Sequence, residues 1–244
     1  MNLKYNLQPK HDIVTEKIVG AEALVRWNMD GKIIMPDEFI PLFEENGFIT
    51  KLDMYVLDHA FSYMEEWQSK GYCIKQINVN QSRMLMYRSN YMEDIKKIIK
   101  RHHVDTSAIV LEVTESVALE DMEILKETIQ SVHQLGFEVS MDDFGSGYSS
   151  LNVLQALPFD ELKLDRFFVK DMGVDHEKQK KIIQYIIELN KSLNVRTVAE
   201  GVETKAQLEF LRGIGCDIAQ GYYFSKPLPK NEFDKLLEKE QGNE

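Results

Sequence analysis

Residues 108–144, "AIVLEVTESVALEDMEILKETIQSVHQLGFEVSMDDF", read as strand, helix, strand. The outer segments "AIVLEVT" (108–114) and "FEVSM" (137–141) are short and largely apolar, as strands covered on both faces are. Between them "DMEILKETIQSVHQLG" has a helical period: Met122, Leu125, Ile129 and Val132 share one face, while Glu123, Lys126 and Glu127 lie largely off it. Gly136 is placed to stop that helix.

The same apolar pattern recurs in "LKYNLQP" (3–9), "IVGAEALV" (18–25), "IKQINVN" (74–80), "ELKL" (161–164), "VRTVAE" (195–200) and, more weakly, "CDIAQGYYF" (216–224). Strands alternating with helices imply a mostly parallel sheet with helices outside it. About eight strands in 244 residues fit a closed (β/α)8 barrel, which typically needs about 250. One domain over 1–244 is the economical reading, with no low-complexity linker to divide it. An open doubly wound sheet is the alternative. Its G-x-G-x-x-G signature is absent after the first strand, and "GSGYSS" lacks the third glycine and lies mid-chain.

Hydrophobic residues at 43% and charged residues at 28% describe a soluble globular chain. The net charge of -11 repels polyanions and argues against DNA as a partner, although local cations can still hold a small phosphorylated ligand. No apolar run approaches the roughly 18 residues that span a bilayer, and "MNLKYNLQPK" lacks a signal-peptide apolar region. A cytoplasmic domain without membrane contact is expected. Cys73 and Cys216 are isolated, and read as buried free thiols rather than a disulfide or a thiolate metal site.

Asn80, Glu112, Asp142 with Asp143, Lys163 and Glu200 all lie at or near the C-terminal ends of their strands. In a barrel those ends form one face, and that face carries the active site. Each residue has an ordinary reading too. Glu112 and Glu200 can cap the helices that follow, and Lys163 can pair with Asp165 two residues on. Glu22, with Leu24 and Arg26 on its side of the strand, can form a local ion pair with Arg26. Their coincidence on one rim favours a shared site. That rim offers carboxylates, one amide and one lysine without His or Cys, which suits Mg²⁺ or Mn²⁺ rather than zinc. His102 and His103 follow a helix and are assigned to its C-terminal dipole. Adjacent Asp142 and Asp143 repel in a partly dehydrated site unless cations intervene. Two divalent ions about 4 Å apart would separate their charges, in the arrangement that serves phosphoryl hydrolysis.

These features lead to a family. "LQP" (7–9), "EALVR" (22–26), "VNQS" (79–82), "LEVTES" (111–116), "DDFGSGYSSL" (142–151), "LKLDRFFV" (162–169), "AEGVET" (199–204) and "QGYYFSKPL" (220–228) together resemble the EAL domain, the bacterial phosphodiesterase family specific for cyclic di-GMP. The resemblance implies a modified TIM barrel whose first strand runs antiparallel to the others. It implies Glu22, Asn80, Glu112 and Asp142 around one metal, and Asp142, Asp143 and Glu200 at the second. Lys163 would position the attacking water, with Glu200 or Asp143 assisting deprotonation. Gln8, Leu24, Arg26 and Gln220 would contact the ligand. Glu115 would anchor the loop at 144–150, with Glu203 nearby. The implied reaction opens one 3'-5' phosphodiester bond to give linear pGpG.

Two departures are visible: Ser146 where relatives usually have Thr, and Gln81 where an apolar residue is common. A receptor that binds cyclic di-GMP without cutting it is the competing expectation, and a nucleotide-free interaction scaffold a third. Receptors of that kind usually lose metal-binding carboxylates, and here all are present. The resemblance also allows an upstream sensory or GGDEF domain and a homodimer. For the dimer, Leu151, Val153 and Leu154 either present an apolar surface or face their own barrel.

Overall fold

The computed structural model describes residues 2–145, 150–170 and 177–241. Its strands are β1 (Asn2–Asp12), β2 (Ile18–Met29), β3 (Lys32–Ile34), β4 (Gln76–Asn80), β5 (Ile109–Thr114), β6 (Glu138–Phe144), β7 (Glu161–Leu164), β8 (Arg196–Ala199), β9 (Ile218–Ala219) and β10 (Leu228–Pro229). Eight of them close a barrel in the order β1, β2, β4, β5, β6, β7, β8, β9 and back to β1. From β2 to β9 each successive pair is parallel, whereas β1 is antiparallel to both β2 and β9. The expected barrel with a reversed first strand is therefore present.

The reversal has a local cause. Only residues 13–17 separate β1 from β2, and a parallel connection needs a crossover of a dozen or more. Asp12 folds the chain back: its Oδ1 accepts from the Val14 and Thr15 N–H groups at 3.1 and 2.7 Å, the local bonding by which aspartate initiates turns. The barrel strands β4 to β9 follow helices and so run parallel.

The helix at Met122–Gln134 shows how the outer layer attaches. Leu125, Ile129 and Val132 are buried against the barrel, while Met122 in the first turn stays exposed. Asp121 Oδ1 accepts from the Ile124 N–H at 3.3 Å, capping the start. Gly136 at φ +89° lets the chain leave the helix and enter β6.

Two sequence readings are corrected and one open alternative is resolved. Cys216 is buried, but Cys73 is exposed, because Ile74 takes the inward position as the chain approaches β4. His102 lies between Asp58 Oδ1 at 2.9 Å and Glu65 Oε2 at 3.3 Å, so carboxylates of the neighbouring helix hold it rather than its own helix end. Val153 and Leu154, on the helix Ser150–Ala156, pack into the chain's own core and offer no apolar docking face; the Leu151 side chain lies outside the described residues. Among the described residues no helix is long and apolar enough to cross a membrane.

Asp53 illustrates the cost of a buried carboxylate in this shell. It lies on the helix Ile49–Ser69, its Oδ2 accepts from the Ser82 N–H at 2.9 Å, and burial pushes its pKa up to about 7. Between pH 4 and 7 the unfolded chain has lost this proton while the folded chain keeps it, so its contribution to stability falls as pH rises. The shift corresponds to about 4 kcal/mol at full ionisation. Urea unfolding of Asp53→Asn beside the wild type is expected to show the variant gaining relative stability from pH 4.5 to 8, by up to that amount. A constant difference across the range contradicts it.

Candidate active site

The carboxylates meet around one lysine. Lys163, on β7, points into the barrel with 1% of its side chain exposed, and its Nζ lies 2.8 Å from Glu200 Oε1, 3.0 Å from Glu112 Oε1, 3.1 Å from Asp142 Oδ1 and 3.2 Å from Glu22 Oε2. These four partners come from β2, β5, β6 and the residue after β8. The parallel strands β5 to β8 bring their C-terminal ends to one rim, and the longer β2 meets it mid-strand at Glu22, which is why residues so far apart in sequence converge. The Lys163 pairing with Asp165 and the Glu22 pairing with Arg26 both give way to this cluster.

Burial works against the charge on Lys163, but Asp142, Glu112, Glu200 and Glu22 outweigh it and hold the ammonium well above its ordinary pKa. The carboxylates divide. Burial, reinforced by Glu22 and Asp142, pushes Glu112 well above the usual range, and burial lifts Glu200 to about 8 despite Lys163. Glu22 goes the other way: Lys163 and the Gln220 amide overcome its burial and lower its pKa. One ammonium does not balance four acids, so protons remain where a cation of higher charge would replace them.

The donor set fits such a cation. Glu22, Glu112 and Asp142 each offer an oxygen, and these atoms lie within 4.8 Å of one another. Glu112 Oε2 is buried without a hydrogen-bond partner. An all-oxygen site with an unpartnered carboxylate oxygen is suited to a hard divalent ion. Asn80 lies opposite Glu112 in the β4–β5 register, at the exposed end of its strand.

The adjacent aspartates are accommodated by a bulge. The β6–β7 register shifts between Met141 and Phe144, and Asp143 adopts φ +57°, a left-handed conformation that aspartate tolerates better than most residues. The alternation of a regular strand is thereby broken. The Asp143 N–H donates to Asp142 Oδ1 at 2.9 Å. Burial, then Asp142 and Asp165, push the Asp143 carboxyl up to about 6. Asp165 is thus a neighbour of the site that sequence reading had paired with Lys163; its position two residues on was the available signal. Asn78 was also missed. Its Nδ2 donates to Glu112 Oε1 at 2.9 Å, and its alternation with Asn80 along β4 was visible.

The remaining expected residues are distributed around this centre. Gln220 Nε2 donates to Glu22 Oε2 at 2.6 Å and reaches Glu200 Oε1 at 3.5 Å. Gln8 lies opposite Glu22 on β1, and its Nε2 donates to the Ser225 carbonyl at 2.7 Å. Leu24 and Arg26 are half-buried further along β2, where Arg26 Nη1 donates to the Val25 carbonyl at 2.8 Å. Burial lowers the Arg26 pKa, opposed by Glu22 and Tyr222. Glu115 is buried, and its Oε2 accepts from the Gly145 N–H at 3.0 Å. Gly145 has φ +96°, and a Cβ there would overlap the Phe168 ring, so this loop entry requires glycine. Residues 146–149 lie outside the described residues. Glu203 is exposed, and its N–H donates to Gln207 Oε1 at 2.9 Å.

Comparison with known proteins bears on the family and the fold. Residues 1–227 match the model of the EAL domain. Over 231 residues the chain is 36% identical to the bifunctional diguanylate cyclase/cyclic di-GMP phosphodiesterase MucR of Pseudomonas aeruginosa, covering 94% of this chain and 34% of that protein. It is 39% identical over 234 residues to the oxygen sensor protein DosP of Escherichia coli, covering 94% and 29%. The chain spans about a third of the length of these curated relatives. Among solved structures, the PaMucR phosphodiesterase in complex with c-di-GMP has a TM-score of 0.88 at 36% identity, covering 95% of this chain and 94% of that one. The EAL domain protein from Listeria monocytogenes EGD-e has a TM-score of 0.85 at 33% identity, covering 96% and 91%.

The arrangement around Lys163 makes a stability prediction. Lys163→Met removes the ammonium and leaves its acids buried without compensation, a loss of roughly 3 kcal/mol or more in chelator. Millimolar Mn²⁺ should restore a larger part of the unfolding midpoint in this variant than it adds to the wild type. Chemical denaturation with and without metal measures both.

Proposed function

The chain belongs to the EAL domain family, and on that premise we propose that it hydrolyses cyclic di-GMP to linear 5'-pGpG with Mg²⁺ or Mn²⁺ at the rim. The observation that carries this reading is the convergence of Glu22, Glu112, Asp142 and Glu200 on Lys163. MucR, a relative, is by name a cyclic di-GMP phosphodiesterase as well as a diguanylate cyclase.

In this proposal Glu22, Asn80, Glu112 and Asp142 would hold one ion, and Asp142, Asp143 and Glu200 would hold a second. Paired divalent ions supply an acidified water and charge neutralisation at the phosphate. The protein supplies placement. Lys163 Nζ orients the attacking water toward phosphorus, in line with the departing 3' oxygen. Glu200 and Asp143, the carboxylates that keep some exposure, are the candidates for receiving its proton. Arg26 meets a phosphate of the ligand with its guanidinium, a geometry suited to phosphoryl oxygens. Gln8, Leu24 and Gln220 complete the contacts. Local cations are needed because the chain as a whole repels an anionic dinucleotide. Glu115, through Gly145, holds the loop that begins beside the bulge, with Glu203 nearby in sequence to the rim residue Glu200.

The same reading includes a homodimer, a cytoplasmic location and an upstream sensory or GGDEF neighbour. The test is direct. Purified protein incubated with cyclic di-GMP and Mg²⁺ or Mn²⁺ is expected to release pGpG, separable by chromatography. Chelation should stop the reaction, and Glu22→Ala should slow it by more than about a hundredfold, the upper end for disturbing a metal ligand's outer partners. Tight binding with no product in either metal would instead identify a receptor.

A further inference from the structure

Beneath the rim the barrel holds a second buried lysine. Lys10 on β1, Asn78 on β4 and Glu161 on β7 are 2%, 0% and 0% exposed. Lys10 Nζ donates to Glu161 Oε1 at 2.7 Å and to Asn78 Oδ1 at 2.8 Å. Asn78 Nδ2 donates in turn to Glu161 Oε1 at 2.8 Å and to Glu112 Oε1 at 2.9 Å. Gly20 lies opposite Lys10 on β2, where a Cβ would stand 2.8 Å from the Gln76 carbonyl oxygen and 3.8 Å from Lys10 Cδ. The glycine is thus required by the close approach of the β4 backbone, and the lysine stem packs beside it at ordinary contact distance.

This arrangement has a direction. An ammonium donates and cannot accept, so the Asn78 amide must turn its oxygen to Lys10. Its NH₂ then faces the two carboxylates, one of which is Glu112. Glu112 Oε1 receives donors from Asn78 and from Lys163, while Oε2 is left buried and unpartnered. A buried ion pair such as Lys10–Glu161 adds little stability over apolar residues of similar volume, and barrels of this type usually fill the same level with Val, Ile and Leu. The polar group therefore makes sense as an orienting device.

We propose that Lys10, Asn78 and Glu161 form a buried positioning unit that fixes the Glu112 carboxylate, and thereby sets the divalent-cation affinity of the rim. This rests on reading the rim as a divalent-cation site. Lys10 sets the amide, the amide sets Oε1, and Oε2 is presented to the ion. All three residues are buried beneath the rim, so their role is one of positioning.

Mn²⁺ is the probe, and its binding to the full chain is followed by electron paramagnetic resonance of the free ion, without substrate. Asn78→Leu is expected to weaken the Mn²⁺ dissociation constant by about 10- to 100-fold, the usual range for outer partners of metal ligands. Lys10→Met with Glu161→Leu removes both charges at similar volume, leaves the Asn78 amide without its Lys10 donor, and should weaken binding by at least about tenfold. Glu161→Gln keeps an acceptor oxygen for both neighbours and should hold affinity within about threefold. Wild-type Mn²⁺ affinity persisting within twofold in Asn78→Leu and in the double variant would overturn the positioning role and leave the rim reading intact. Failure of the wild type to bind Mn²⁺ would overturn both. Loss of near-ultraviolet circular dichroism in the double variant would show a structural role only, and would also overturn the proposal.

Discussion

A single ammonium group set among four carboxylates is the constraint on which the site depends. Lys163 must be charged to keep Glu22, Glu112, Asp142 and Glu200 together, and those acids must surround it to keep it charged inside a barrel. The mutual dependence leaves an excess of acid, because one positive charge faces four acidic groups. That excess of acid is the feature on which the proposed divalent-cation site rests. Cations held there, as proposed, would let a chain carrying -11 overall present a local site for an anion.

Two backbone features make this concentration of charge geometrically possible. The five-residue connection between β1 and β2 turns the chain back on itself, so Gln8 lies beside Glu22 and the first strand closes the barrel in reverse. The bulge after Met141 lets consecutive aspartates depart from strict alternation, with Asp143 in a left-handed conformation beside Asp165. Bulges commonly re-aim side chains near active sites, and here the device falls on the pair of residues whose adjacency was hardest to explain.

Below the rim, polarity continues down the barrel. Lys10, Asn78 and Glu161 are followed by Gln76, Glu138 and Arg196, linked through bonds from Gln76 and Arg196 to Glu138. In an ordinary barrel these levels are packed with branched apolar side chains. Here the hydrophobic core lies largely between strands and helices, in residues such as Leu57, Leu125, Ile129, Ile183 and Leu208. The interior of the sheet is left for chemistry, and the outer interface supplies the burial that stabilises the fold.

Much of this was legible in one dimension. Apolar segments alternating with helical periods implied strands and helices in turn, and the position of Asn80, Glu112, Asp142, Lys163 and Glu200 at strand ends implied a common rim, because a parallel barrel sends all those ends one way. The reversal of β1 was expected only from the family resemblance, and the structure supplies its cause in the five-residue connection "IVTEK" (13–17), too short for a crossover. Other properties are absent from the chain taken linearly. Whether Glu22 pairs with Arg26 or Lys163, whether Val153 and Leu154 face outward or inward, and which residue Asp165 accompanies all depend on distances between strands far apart in sequence. Asn78 and Lys10 read alone as ordinary strand residues; they become a connected unit only when the barrel closes, because closure brings β1, β4 and β7 within hydrogen-bonding reach across its interior. Local pattern thus determined which residues reach the rim, and the closed sheet decided which of them touch, since side-chain pairing is a property of three-dimensional distance.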